Sequence, residues 1–489
     1  MNNTDNKNNT REVRTRFAPS PTGYMHLGNL KTAITEYLVA KSLGGKFILR
    51  IEDTDQKRLV EGSVEVIYQT LKTVGIKHDE GPDIGGEYGP YVQSERLGFY
   101  KQYALELIEK GKAYYCFCTK ERLESLQRPG SEDATQYDRH CLKLSPEEIQ
   151  AKLDAGVPYV IRQIIPEGKT TYRDEVFGEI TFDNSELDDQ VLIKSDGYAT
   201  YNFANVVDDH LMKISHVVRG SEYLSSTPKY NLLYNAFGWE IPTYIHTTLL
   251  LNENGEKLSK RKGDKSFQDL IEEGFLPEAI LNFLALLGWS PSDNREFFTM
   301  DELIEAFDVK GLSKSSSCVD LVKMAWMNGE YFKKMSPEAF YEMALPTIKL
   351  CAGREVNYAK VAEMVRTRIE FLKDIPVLID FIAKLPDYDI ALYDHKKMKT
   401  DAEISRKSLI AAITALEGLD EESWNNDALY DFLQKLAAEL GIKNSQILWP
   451  VRTALSGKPV SPCGATELCE LLGKDESLRR LKIGIDKLS

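Results

Sequence analysis

The sequence predicts an α/β protein with a parallel sheet in its first half and helices alone in its C-terminal part. Two stretches, within residues 13–51 and 193–262, alternate apolar strands with amphipathic helices. From about residue 337 onward, apolar residues recur at spacings of three and four, which indicates packed helices. Strands joined through a helix pair in parallel, and ligands bind beyond the carboxyl ends of such strands. We therefore expect functional residues at those strand ends.

Length and composition indicate a protein of several domains from a reducing compartment. The chain has 489 residues, a formal net charge of −14 and seven cysteines, and an odd cysteine count argues against a disulfide framework. The longest apolar run, near residues 280–289, is too short to span a bilayer, and the N-terminus lacks the apolar core of a secretory signal. The acidic balance argues against binding of nucleic acid over the whole surface, although it allows a local basic face. We expect a cytoplasmic protein without a membrane partner.

The first alternation contains a turn-rich loop, FAPSPTGYMHLGN, at residues 17–29. A strand over 13–18 precedes the loop and a helix follows it, so the loop ends where free N–H groups and the helix dipole favour an anion. Gly23 and Gly28 would let the backbone approach a ligand, and His26 can donate to a phosphate oxygen. An ordinary surface loop with an exposed histidine is the alternative.

The second strand, over 46–51, ends at three carboxylates, Glu52, Asp53 and Asp55. Such a cluster can cap a helix, bind a metal ion or contact a substrate, and helix capping is the most common of these.

A basic loop at 252–264 follows the last apolar segment of the second alternation. Its cations surround one serine and precede a glycine; they are Lys257, Lys260, Arg261 and Lys262. A solvated surface loop is the ordinary interpretation of such a run. Phosphoryl chemistry, however, needs donors on both sides of a polyphosphate, and a helix N-terminus together with a mobile lysine loop could supply them.

These motifs together resemble those of class I aminoacyl-tRNA synthetases. PSPTGYMHLGN and KLSKR resemble the two nucleotide-binding motifs of that class, and RFAPSPTG, RIEDTD, YNFANVVDDH and HVVRGSEY resemble the bacterial-type glutamyl-tRNA synthetase family. The resemblance extends from about Arg14 to the C-terminus, with the motifs in the expected order. It departs at Asn29, where many class I enzymes have a second histidine.

The resemblance implies a ligase that attaches L-glutamate to tRNA-Glu in two steps. The α-carboxylate of glutamate attacks the α-phosphate of ATP, bound with Mg²⁺, and pyrophosphate leaves; the glutamyl group then passes to the 3′-terminal adenosine. The implied catalytic residues are His26, Lys260 and, in second place, Lys257. The implied ATP contacts are His26, Gly28, Asn29, Glu222 and Lys260.

Glutamate carries two carboxylates and one ammonium group, so its pocket needs at least two cationic donors and one anion. Arg16 and Arg219 are the candidate donors, because a guanidinium fork matches a carboxylate, and Glu52 would bind the ammonium. By resemblance, the rest of the pocket consists of Ala18, Ser20, Tyr201 and Asn205.

The resemblance also implies how the chain is divided. A Rossmann-like catalytic domain would take 1–95 and 200–252, an inserted α+β acceptor-binding domain 96–199, a segment with the KLSKR loop and a tRNA-stem contact 253–336, and an all-α anticodon-binding half 337–489. In that last part, either Arg366 or Arg368 would help to read the third anticodon base. We expect a monomer.

The inserted domain contains Cys116, Cys118 and Cys141. Zinc prefers four ligands in a tetrahedron, and some relatives bind it at a Cys-x-Cys followed by Tyr-x-x-x-Cys, so Tyr137 or His140 would be the fourth ligand. The Cys-x-Cys spacing is tighter than is usual at zinc. Three buried or free thiols are therefore the alternative to one Zn²⁺ ion.

Other functions fit the catalytic motifs less well. A short paralogue that glutamylates a modified base of tRNA-Asp ends near 300 residues, and glutaminyl-tRNA synthetases tend to have PEPNG where this chain has PSPTG. An inactive tRNA-binding paralogue would be expected to lose His26 or Lys260, and both are present. A non-discriminating ligase that also charges tRNA-Gln stays open.

Lys260→Ala tests the role of the basic loop. One donor to transition-state charge contributes roughly 10²- to 10³-fold, so turnover should fall by about that factor. Glutamate binding should change little, because the lysine is expected at the phosphates. Steady-state kinetics measure kcat and the KM for glutamate. If turnover stays within about threefold of the wild type, Lys260 is not a catalytic donor and the loop is only a surface feature.

Overall fold

The computed structural model of the protein describes residues 11–55, 58–126, 137–258 and 263–489. These residues form two compact units. The first consists of residues up to 273 together with 280–320, and the second of 274–279 together with 321–489.

The first unit begins with the predicted strand, helix and strand. They are β1 (Arg14–Phe17), α1 (Leu27–Ser42) and β2 (Lys46–Leu49), and β1 pairs with β2 in parallel. Helix α1 starts where it does because the side chain of His26 accepts a hydrogen bond from the Gly28 N–H at 3.1 Å and so caps the helix. The predicted β-loop-α-β unit is confirmed.

A mixed segment follows. Its elements are α2 (Ser63–Thr73), α3 (Leu97–Glu109), β3 (Ala113–Cys116), α4 (Lys120–Ser125), α5 (Pro146–Asp154), β4 (Val160–Gln163), β5 (Lys169–Asp174), β6 (Gly178–Asp183) and β7 (Val191–Ile193). Strands β3, β4 and β7 form an antiparallel sheet. Strands β5 and β6 form a separate antiparallel hairpin.

The second alternation forms α6 (Tyr201–Leu211), β8 (His216–Gly220), α7 (Thr227–Phe237), β9 (Thr243–Thr247) and β10 (Leu250–Leu251). Strands β8 and β9 pair in parallel, as predicted. The sheet continues through β5, which pairs in parallel with β9, so the strand order is β6-β5-β9-β8. The β5–β6 hairpin therefore comes from the segment expected in the insertion, yet it extends the sheet of the catalytic motifs.

A hydrogen bond between backbones links the two parallel pairs. The Ser215 N–H donates to the Arg14 carbonyl at 3.0 Å, and further along β1 the Arg16 guanidinium donates to the Val218 carbonyl at 3.3 Å. The residue numbers of the two contacts increase together, from 14 to 16 on β1 and from 215 to 218 at β8, so the two strands run parallel. The carboxyl ends of β1, β2, β8 and β9 thus face the same edge, which is where ligands bind in such sheets.

The remaining elements are almost entirely helical. They are α8 (Phe267–Glu273), α9 (Pro277–Leu286), α10 (Met300–Ala306), β11 (Ser317–Cys318), α11 (Leu321–Lys334), α12 (Pro337–Ala352), α13 (Tyr358–Arg366), α14 (Ile375–Ala383), α15 (Ala402–Glu417), α16 (Asn426–Glu439), α17 (Asn444–Ser456), α18 (Ala465–Leu472) and α19 (Lys474–Lys487). In the second unit, the helices bury a core that includes Phe332, Phe340, Phe381, Leu409 and Leu455. None of the helices in the described ranges is both long and apolar enough to cross a bilayer.

Asp208 on α6 is a buried anchor of the first unit. Its side chain accepts hydrogen bonds from Arg96 at 2.6 Å, Tyr100 at 2.8 Å and Gln93 at 2.9 Å, and it is fully buried. The carboxylate therefore compensates a guanidinium that is itself only 2% exposed.

Asp208→Ala should lower the free energy of unfolding of the first unit by about 3–5 kcal/mol, because it leaves the buried charge of Arg96 without its carboxylate. Calorimetric unfolding measures the loss. Glu179→Ala, at an exposed carboxylate on β6, is the matched control and should change stability by less than about 0.5 kcal/mol. If Asp208→Ala lowers the free energy of unfolding no more than the control does, Asp208 is not the anchor of the first unit.

Candidate active site

The N-terminus of α1 forms one side of the candidate site. Because the His26 Nδ1 atom accepts from the Gly28 N–H, the proton of the neutral imidazole is on Nε2. A Cβ atom at Gly28 would meet only the His26 ring, at 3.4 Å, and Asn29 is exposed. Gly23 has φ +115°, a conformation that L side chains rarely adopt. The loop thus combines a histidine donor with an open helix start, as the sequence predicted.

The basic loop begins on the other side. Lys257 Nζ bonds Glu222 Oε1 at 3.0 Å, and both side chains are partly exposed. Two residues that different motifs assigned to the nucleotide therefore lie together. Lys260, the predicted catalytic lysine, lies outside the described residues.

Arg16 belongs to a buried ionic network at the carboxyl ends of β1 and β2. Its Nε atom lies 3.0 and 3.1 Å from the two Asp209 oxygens, and its Nη1 atom lies 3.3 Å from Glu36 Oε1. Arg50 bonds the same Asp209 at 2.7 Å and Glu52 at 2.8 Å. Burial by itself would raise the pKa of Asp209, but the two guanidinium groups outweigh it and hold that pKa below its ordinary value.

Glu52 has one oxygen in this network and one outside it. Oε1 accepts from Arg50 and, at 3.4 Å, from the Asn205 amide. Oε2 is buried and has no hydrogen-bond partner among the described residues. Burial raises the pKa of Glu52 in spite of Arg50. A buried acceptor without a partner is costly, so this oxygen is suited to a ligand donor.

Arg219 is buried without a carboxylate. It is 5% exposed, and it donates from Nη2 to Thr227 Oγ1 at 3.1 Å and from Nε to His246 Nε2 at 3.3 Å. Its guanidinium carbon lies 4.4 Å from the centre of the Tyr230 ring, within cation–π range. Within the described part of the chain, no aspartate or glutamate forms an ion pair with it. A buried cation held only by neutral groups can bind an anionic ligand group.

The other predicted pocket residues surround the same strand ends. Ala18 is half-buried directly after β1, and Ser20 is exposed in the loop. Tyr201 is the first residue of α6, and Asn205 lies one turn later. Asn205 and Arg219 line one small cavity.

Some residues of this site were missed by sequence reasoning. Arg50 and Asp209 lie within the motifs RIEDTD and YNFANVVDDH, yet the sequence analysis predicted no role for either residue. Glu36, Thr227 and His246 carried no signal, because a buried acidic, hydroxyl or imidazole group in a helix or strand is usually structural.

Comparison with known proteins agrees with this geometry. Residues 12–326 match the family model "tRNA synthetases class I (E and Q), catalytic domain", and residues 339–485 match "Anticodon binding domain". The glutamate–tRNA ligases of Clostridium novyi (strain NT) and Clostridium kluyveri are 59% and 57% identical, each over 98% of both chains. The chain belongs to the glutamate–tRNA ligase family of class I synthetases.

A solved structure supports the same assignment. The crystal structure of a glutamate tRNA ligase from Elizabethkingia meningosepticum, in complex with its amino acid, superposes with a TM-score of 0.87 at 35% identity and covers 98% of this chain and 100% of its own. These matches confirm the family resemblance that the sequence motifs indicated. They also confirm the prediction that the protein is an enzyme, a glutamate–tRNA ligase. The match to an anticodon-binding domain excludes the short paralogue. Enzymes of this class use ATP.

The three cysteines of this ligase form a cluster with Tyr137. The Sγ atoms of Cys116, Cys118 and Cys141 lie within 4.8 Å of one another. The Tyr137 hydroxyl lies 3.3 Å from Cys116 Sγ and 3.2 Å from Cys118 Sγ. His140 does not join the group. The geometry therefore favours Tyr137 over His140 as the fourth donor.

The two candidate anticodon arginines of the ligase differ in their surroundings. Arg366 donates from Nη1 to the carbonyls of Lys333 and Met335, at 2.6 and 3.0 Å, and so caps the C-terminal end of α11. Arg368 is exposed, and its side chain makes no hydrogen bond to the described residues. This difference favours Arg368 as the residue that is available to a base.

Proposed function

We propose that this enzyme activates L-glutamate with ATP and transfers it to the 3′-terminal adenosine of tRNA-Glu. The observation that carries the proposal is the pairing of complementary buried charges around Asn205. Its side chain bonds Glu52, which has an oxygen without a partner, and it shares a cavity with Arg219, a cation without a carboxylate. An amino acid with a second carboxylate matches both.

The glutamate contacts follow from charge. Arg219 would bind one carboxylate, and Glu52 would bind the ammonium group. Arg16 already bonds Asp209 and Glu36 through Nε and Nη1, which leaves Nη2 for the substrate. Ala18, Ser20 and Tyr201 would complete the pocket.

Discrimination against glutamine has the same origin. The glutamine amide presents N–H groups where the carboxylate has only acceptors. A buried guanidinium would then face a donor, and sites that leave such groups unpaired discriminate by roughly 10⁴- to 10⁵-fold.

Adenylate formation requires positioning and charge stabilisation. The glutamate α-carboxylate attacks the α-phosphorus, a new C–O–P linkage forms, and the bond to the β-phosphate breaks so that pyrophosphate leaves with the developing charge. His26 Nε2 and the start of α1 at Gly28 and Asn29 would hold the phosphates, with Mg²⁺ bound to them. Lys260 would stabilise the leaving charge, with Lys257 second. Glu222 would lie beside the ribose.

We propose the following roles for the rest of the chain. Residues 96–199 contact the acceptor end of tRNA, 253–336 its stem, and 337–489 its anticodon, through Arg368 in preference to Arg366. The enzyme acts as a cytoplasmic monomer. Aminoacylation of purified tRNA-Glu and tRNA-Gln with labelled glutamate tests both the activity and whether the enzyme discriminates between the two tRNAs.

We also propose one zinc ion at the cysteine cluster. Three thiols and a phenol oxygen within hydrogen-bond reach of two of them fit the four-ligand, sulfur-rich set that zinc prefers. Such an ion would cross-link the end of β3 to the segment around Cys141 and thereby hold the acceptor-binding region together.

Arg219→Ala should raise the KM for glutamate by roughly 10- to 10²-fold, the value of a hydrogen-bonded charge pair, and should leave the KM for ATP nearly unchanged. Arg16→Ala should also weaken glutamate use, with an additional loss of stability because Asp209 keeps only one guanidinium. Arg173→Ala, at an exposed arginine on β5, is the matched control. A higher KM for ATP with an unchanged KM for glutamate would place both arginines on the wrong ligand.

Purified enzyme should contain about one zinc per chain, and Cys116→Ser should lose it while the second unit stays folded. Elemental analysis of freshly prepared protein measures the metal. Cys318→Ser, at an exposed cysteine on β11, should retain it. Wild-type protein without metal would favour the free-thiol interpretation.

A further inference from the structure

A buried chain of polar groups leads from β5 to Arg219. Asp174, the last residue of β5, is 1% exposed. One of its oxygens accepts from the backbone N–H groups of Val176 and Phe177, at 2.9 and 2.8 Å. The other accepts from the backbone N–H of His246 at 3.0 Å and from its Nδ1 at 2.7 Å. The Asp174 carboxyl group therefore accepts hydrogen bonds from four N–H groups, which fixes its orientation.

This carboxylate determines the tautomer of His246. Because Asp174 accepts from Nδ1, the imidazole proton is on Nδ1 and the Nε2 lone pair faces Arg219 Nε, at 3.3 Å. Burial lowers the pKa of His246, although Asp174 opposes this effect, and the ring therefore stays neutral. The second partner of Arg219, the Thr227 hydroxyl, is neutral as well. It accepts from the guanidinium at 3.1 Å, donates to the Tyr223 carbonyl at 2.8 Å and lies 3.3 Å from His246 Nε2.

The two pocket arginines are thus held in different ways. Arg16 is oriented by carboxylates, Asp209 and Glu36, which also neutralise it. Arg219 is oriented by the His246 imidazole and the Thr227 hydroxyl. These neutral groups fix the position of the guanidinium group and leave its charge uncompensated. Only the second arrangement makes a bound carboxylate strongly preferable to an isosteric amide, because the anion then supplies the missing counter-charge.

We propose that His246, oriented by Asp174, is a positioning residue that holds Arg219 as an uncompensated cation and thereby sets the preference for glutamate over glutamine. The inference rests on the proposed contact of Arg219 with the substrate. It also gives a function to the β5–β6 hairpin, which brings Asp174 into the sheet next to β9.

Two substitutions of the same histidine separate the two hydrogen bonds. The His246→Asn amide can still donate to Asp174 but cannot reach Arg219, whereas the His246→Gln oxygen can accept from Arg219. His246→Asn should raise the KM for glutamate by roughly tenfold, the value of one hydrogen bond to a charged group, with kcat and the KM for ATP little changed. His246→Gln should keep the KM for glutamate close to the wild-type value. His216→Asn, at a histidine that bonds Ser215 Oγ, is the matched control.

Asp174→Asn tests the tautomer. An amide N–H₂ group facing Nδ1 would require Nδ1 to accept, and Nε2 would then carry a proton directed at Arg219. We expect a higher KM for glutamate and a lower ratio of glutamate to glutamine use in pyrophosphate exchange with tRNA present. Nitrogen-15 spectra of histidine-labelled wild-type protein should contain an Nδ1–H tautomer whose signal disappears in His246→Asn.

The outcomes distinguish this inference from the proposed function. If Arg219→Ala does not alter glutamate kinetics, the pocket assignment itself is wrong. If Arg219→Ala weakens glutamate use but His246→Asn matches the wild type, or if the wild-type spectrum shows His246 protonated on Nε2, the positioning role is wrong while the pocket stands. If His246→Asn fails to fold, the loss of the same signal in His246→Gln assigns the spectrum.

Discussion

The compensation of buried guanidinium groups is the constraint on which the catalytic unit depends. Arg16, Arg50 and Arg96 are each 3% exposed or less, and isolated charges cannot be buried at that depth. Their carboxylate partners Asp208 and Asp209 are adjacent residues of α6. Helix α6 belongs to the second alternation, whereas the three arginines lie within the first hundred residues of the chain. Two consecutive aspartates therefore join segments that are more than a hundred residues apart.

The same network borders the proposed substrate site. Glu52 uses one oxygen to bind Arg50, and the other is left for a ligand. Arg219 lies across the cavity shared with Asn205 and has neutral partners instead of carboxylates. The ion-pair network thus lies beside one carboxylate oxygen without a hydrogen-bond partner and one guanidinium group without a carboxylate, among the described residues. In the pocket that we propose, a zwitterionic substrate with an additional carboxylate would bind both groups.

Local patterns predicted much of this. The β-loop-α-β unit, the strand and helix of the second alternation and the helical C-terminal half occur where the hydrophobic periodicity indicated them. The β5–β6 hairpin did not follow from any pattern, because its alternation of exposed and buried residues fits an edge hairpin in either domain. Its pairing with β9 is a long-range choice that depends on which sheet edge is available.

The sequence by itself determined the family and the reaction, because the short motifs and their order along the chain are informative; it also predicted the residues that would contact ligands. The tertiary structure alone decided how each group is held. In the sequence, Arg16 and Arg219 are both candidate carboxylate donors, and nothing local distinguishes them. In the structure, Arg16 contacts carboxylates, whereas Arg219 contacts an imidazole, a hydroxyl and tyrosine rings. Similarly, Arg366 is bound to backbone carbonyls and Arg368 is exposed. Electrostatic environment depends on neighbours that are distant in the chain, so no local pattern can specify it.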